Sequence, residues 1–67
     1  MDNIEIGDLV ERIREEHFEM KVGNRGVVLG FIDYDDILIF GYGPYGYSRC
    51  NFKIISKANK SINYEIF

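Results

Sequence analysis

Glycine spacing constrains this chain more than any other feature. Glycines stand at positions 7, 23, 26, 30, 41, 43 and 46, and the only proline, Pro44, falls inside the last group. In a helix interior Gly costs roughly 1 kcal/mol relative to Ala, and Pro about 3 kcal/mol. Residues 22 to 50 are therefore expected to be non-helical. The runs between the glycines are short, apolar and rich in β-branched residues. Val27-Val-Leu-Gly-Phe-Ile32 reads as a strand and Ile37-Leu-Ile-Phe40 as its hairpin partner. Asp33-Tyr-Asp-Asp36 between them reads as the turn, because Asp side chains hydrogen-bond their own backbone there. Both strands are apolar at consecutive positions, which predicts that both faces are covered. Tyr45 to Cys50 is expected as a third strand and Phe52 to Ile55 as another.

The segment before the first glycine group supports two readings. Asp8-Leu-Val-Glu11 has the spacing of a helix capping box, with Leu9, Ile13 and Met20 on one helical face. As a strand, Asp8 to Arg14 places Val10 and Ile13 in an alternation that needs a bulge. A short helical turn over Glu15 to Phe18 is compatible with both. Beyond Ser56, Lys57-Ala-Asn-Lys-Ser61 is polar, and Ile62-Asn-Tyr-Glu-Ile-Phe67 alternates like an added strand or a docking strand. The expected domain is thus residues 1–56, with 57–67 as a tail or added strand.

With 67 residues there is room for one domain, burying roughly 60% of its unfolded surface. Five short strands protect their edges best by curling into a barrel. The expected interior is Val10, Ile13, Val28, Ile37, Ile39, Phe52 and Ile54, with Gly30 at a bend.

Gly7-Asp-Leu-Val10, followed by Val22-Gly-Asn-Arg-Gly-Val-Val28, resembles the opening of KOW-type and related SH3-like small barrels. Ser48-Arg-Cys-Asn-Phe52 is similar to the 3₁₀ turn before their last strand. The resemblance covers roughly residues 6 to 56. It implies a mainly β chain forming a single five-stranded SH3-like barrel, of the kind found in short stand-alone phage and bacterial proteins of unassigned role. It implies no particular activity. The first loop carries Glu15, Glu16 and Glu19, where nucleic-acid-binding members carry Lys or Arg.

Charge argues the same way. Eight Lys and Arg against 11 Asp and Glu leave a net −3. Residues 1–36 hold ten acids and four bases, and residues 37–67 one acid and four bases, giving −6 and +3. Nucleic-acid binding needs a dense basic footprint, and only Arg49, Lys53, Lys57 and Lys60 could supply one.

Phe40, Tyr42, Tyr45 and Tyr47 form an aromatic cluster. Tyr45, Tyr47 and Arg49 alternate as one strand face would, a pattern suited to holding a protein partner. His17, the only histidine, lies among loop carboxylates and is a weak metal ligand set. Cys50, the only cysteine, reads as a small buried hydrophobe. Asp33, Asp35 and Asp36 lack the longer Gly-containing frame of a calcium loop. No phosphate-loop, nucleophile-elbow or dinucleotide motif is present in the sequence. The expectation is a non-enzymatic protein-interaction module, with no catalytic, metal or cofactor residues. A phage-type modulator of a larger host protein is one form of it. A KOW-type nucleic-acid accessory domain and a dimer paired through the tail are the alternatives. No apolar run reaches the length of a membrane span. The opening Met1-Asp-Asn-Ile-Glu5 has neither a basic nor an apolar signal region. Together these point to the cytoplasm.

Overall fold

A computed structural model describes residues 3–17 and 19–58 of the chain. Five strands form: β1 (Leu9–Arg12), β2 (Arg25–Phe31), β3 (Asp36–Ile39), β4 (Tyr47–Ser48) and β5 (Phe52–Ser56). A 3₁₀ turn, Arg49–Asn51, separates β4 from β5. All neighbouring strands are antiparallel, in the order β4-β3-β2-β1-β5. The mainly β, five-stranded expectation is met. The sheet is not closed into a barrel: its edge strands β4 and β5 follow one another in sequence, and no ladder joins them.

Alternation decides which side chains go inside. Val10 and Arg12 of β1, Val28 of β2, Ile37 and Ile39 of β3, Tyr47 of β4 and Phe52 of β5 are buried on one face. Ile4 and Met20 complete this core, and Tyr42 and Ile54 pack against it half-buried. Ile13 lies beyond the end of β1 and is only half-buried. Gly26 is required by close packing, since a Cβ there would lie 2.3 Å from Cγ2 of Ile39. β2 pairs with β1 through its first half and with β3 through its second. The register breaks between Val28 and Gly30, so Leu29 bulges and the strand bends where Gly30 was expected to bend it.

The strand reading of residues 8–14 is the one that forms, and only as far as Arg12. The helical reading fails because Asp8 has other partners. Its carboxylate accepts from the Glu5 amide, the Ala58 amide and Lys57 Nζ, each at 2.8 Å. It does not cap a following turn. The helical turn at Glu15–Phe18 is also absent among the described residues. Glu15 has φ of 58°, which a right-handed helix excludes. The buried Arg12 guanidinium donates to the carbonyls of Arg14 and Glu15 and fixes that loop. His17 and Met20 then form an isolated antiparallel bridge. Phe18 and the expected strand 62–67 lie outside the described residues.

Candidate interaction surface

The expected third strand is cut short by packing. It starts at Tyr47 and gives way to the 3₁₀ turn at Arg49. The aromatic cluster is therefore divided. Tyr47 is only 4% exposed. Its ring meets Phe52 edge-on at 6.3 Å and His17 edge-on at 5.6 Å. Its hydroxyl donates to the Tyr42 carbonyl at 3.3 Å. Burial, reinforced by the nearby Glu19 carboxylate, pushes the Tyr47 phenol above its ordinary pKa. Arg12 stands over both rings, 5.6 Å from the Tyr47 centroid and 5.5 Å from that of Phe52. Its Nη1 is buried without a hydrogen-bond partner.

Tyr45 precedes the strand and is 50% exposed, with its ring 6.4 Å from His17. Phe40 is 68% exposed. It lies beside Val27, whose carbonyl accepts the Phe40 amide at 2.9 Å. Tyr45, Tyr47 and Arg49 thus do not share a strand face.

Arg49 belongs to a different group of residues, at the tip of the β2–β3 hairpin. The Asp33 carboxylate accepts the Asp35 amide at 3.4 Å, and the Asp36 carbonyl accepts the Ile32 amide at 3.0 Å. The aspartates therefore do turn chemistry, as their spacing predicted. The Asp35 carbonyl accepts the Arg49 amide at 2.8 Å and ties the 3₁₀ turn to the tip. The Arg49 guanidinium then stands 5.6 Å over the Phe31 ring, with Nε buried and without a hydrogen-bond partner. Gly46 brings the segment after Tyr45 against Ile32, where an added Cβ would meet Ile32 Cδ1 at 2.8 Å. Phe31, Ile32 and Tyr34 are all exposed, Tyr34 at 87%. Sequence reasoning placed Phe31 and Ile32 in a covered strand and used Tyr34 only as a turn residue. The available signal was that a tyrosine at the apex of an Asp turn has no neighbour to cover it.

The basic residues do not gather into one footprint. Lys57 is committed to Asp8 at 2.8 Å, to Glu5 at 3.5 Å and to the Asn3 carbonyl at 2.8 Å. The Asp8 bond holds the Lys57 ammonium above its ordinary pKa. At Asp8 burial alone would raise the carboxyl pKa, and the bonds from Lys57, Ala58 and Glu5 overcome this and lower it. Lys53 is exposed and stands opposite Glu11, which already pairs with Arg25 at 2.8 Å. Lys60 lies outside the described residues. The described residues hold no grouping of His, Cys, Asp and Glu fit to bind a metal ion. Cys50 is exposed rather than buried as expected, because it sits in the 3₁₀ turn between β4 and β5, with its sulfur 3.3 Å from the Ser48 hydroxyl. No helix among the described residues is long and apolar enough to cross a membrane.

Comparison with family models, with curated proteins and with solved structures returns no match for this chain.

Proposed function

We propose that the chain is a non-enzymatic protein-interaction module of SH3-like type, and that the β2–β3 tip is its contact surface. The observation that carries this reading is the exposure of Phe31, Ile32 and Tyr34 around a half-buried arginine. Apolar surface gathered at one exposed tip is the mark of an interaction site. Tyrosine and arginine are also the residue types that dominate binding energy at protein contacts. The SH3-like part of the reading draws on the strand order, with a 3₁₀ turn between the fourth and fifth strands. The acidic first loop, with Glu15, Glu16 and Glu19 exposed, suits a partner with basic surface, such as a larger protein that the module regulates.

The test is capture of partners from nuclease-treated lysate by the tagged chain. A Phe31→Ser/Tyr34→Ser variant should lose a specific protein that the unaltered chain retains, while its melting temperature holds. Retention by that variant, or a catch that consists only of nucleic acid, refutes the reading.

A further inference from the structure

The first loop turns back on itself around the chain's one histidine. The His17 amide donates to the Met20 carbonyl and the Met20 amide to the His17 carbonyl, each at 3.0 Å. Met20 is buried in the core and anchors the returning strand of this turn. Inside the turn, His17 Nδ1 accepts the Glu19 amide at 3.2 Å. An Asn or Asp side chain makes the same bond to the amide two residues on. An imidazole makes it only from a nitrogen that carries no proton. The bond therefore requires a neutral His17 with its hydrogen on Nε2.

The half-buried His17 ring lies against two tyrosines, edge-on to Tyr47 at 5.6 Å and tilted to Tyr45 at 6.4 Å. The charges around it are divided between its two sides. On the buried side, the Arg12 guanidinium stands over the same Tyr47 ring. Its Nη1 has no hydrogen-bond partner, and no carboxylate among the described residues forms an ion pair with it. On the solvent side, Glu15, Glu16 and Glu19 are exposed. Glu16 accepts the Val22 amide at 3.2 Å, and the Glu19 charge reaches the Tyr47 phenol. Of the loop's bases, Arg14 donates to the Cys50 carbonyl and Lys21 is exposed at the loop's end.

A proton on His17 acts in one direction through all of these groups. It turns Nδ1 into a donor facing the Glu19 amide, itself a donor, so that bond is lost. It sets a second cation against a buried ring that already carries an unpaired arginine, where repulsion is weakly screened. The exposed glutamates attract the same charge outward.

We propose that His17 is a pH-sensitive latch of the first loop: as the neutral imidazole it holds the loop on Tyr47, and protonation swings the ring out toward the glutamates. The latch contributes to the closed loop where the ring is neutral, and that contribution is lost as pH falls. Opening uncovers the Tyr47 ring and the Arg12 guanidinium. The contact surface proposed at the hairpin tip does not depend on it.

The test is a nuclear magnetic resonance titration of the full isotope-labelled chain from about pH 8 to about pH 5, the range in which histidine changes charge. At the upper end the imidazole nitrogens should report hydrogen on Nε2 and none on Nδ1. As His17 takes its proton, Overhauser contacts between the His17 and Tyr47 rings should disappear and the Glu19 amide should shift upfield. The Glu5 and Ala58 amides, held by Asp8, should stay in place over this range. A His17→Asn variant keeps an acceptor for the Glu19 amide and has nothing to titrate, so its loop should stay closed at both ends of the range. Ring contacts and a Glu19 amide that do not change while His17 titrates, hydrogen on Nδ1 at the upper end, or a loop that opens with pH equally in His17→Asn would each overturn the proposal.

Discussion

Two arginines stand over aromatic rings in this fold, and their surroundings give them opposite roles. Arg12 lies over Tyr47 and Phe52 inside the sheet, and its Nε and Nη2 donate to backbone carbonyls of the first loop. Arg49 lies over Phe31 at the hairpin tip, where the ring and its neighbours Ile32 and Tyr34 face solvent. The same pairing of cation and ring organises a core where it is enclosed. Where it is left open it offers a surface to a partner. The difference comes from strand alternation: Arg12 takes an inward position of β1, while Arg49 begins a turn after β4 has ended.

The contrast is broken most severely at the enclosed group. Tyr47→Ala removes a buried ring and should cost about 3 kcal/mol. That is a fall in melting temperature of roughly 15 °C, measurable by circular dichroism. Asp8→Ala comes next. It leaves the half-buried amides of Glu5 and Ala58 without their acceptor and should cost about 2 kcal/mol in chemical denaturation.

The same carboxyl sets a pH dependence. Because its pKa is lower in the folded chain, the unfolded chain binds the proton first. Its stabilising contribution is then present above the ordinary aspartate pKa of about 4 and is lost as pH falls through the lower folded value. Acid titration of the unaltered chain should show this limb, and Asp8→Asn should flatten it.

A smaller effect is expected from Arg12→Met, about 1 kcal/mol. It keeps apolar contact with the two rings but loses the bonds to the loop carbonyls, and the loop amides at 14–17 should exchange faster. At the open group, Arg49→Met should change stability by no more than about 0.5 kcal/mol while weakening partner capture. Equal stability losses at Arg12 and Arg49 would erase the distinction drawn between them.

Much of the strand content was legible in the sequence, because glycine spacing and β-branched runs act locally. The β2–β3 hairpin, its aspartate turn, the bend at Gly30 and five of the seven expected core residues follow from that. The role of Asp8 was not legible. A capping box and a carboxylate that ties Glu5 to Ala58 look alike until residues 50 positions apart are brought together. The aromatic cluster was legible as a composition and not as a face. Tyr45 and Tyr47 are two residues apart, but a strand that begins only at Tyr47 breaks the alternation. Tyr34 was hidden for the opposite reason: a turn residue is read for its backbone, so its side chain went unweighed.

The most direct measurement is a chemical-shift titration of the isotope-labelled chain with a protein that it captures. The account predicts that the perturbed amides centre on residues 31–35 and 45–49, and that the core strands move little. Perturbations centred on Arg25, Lys53 and Lys57 and abolished by salt would contradict it, and would place the contact on the basic residues instead.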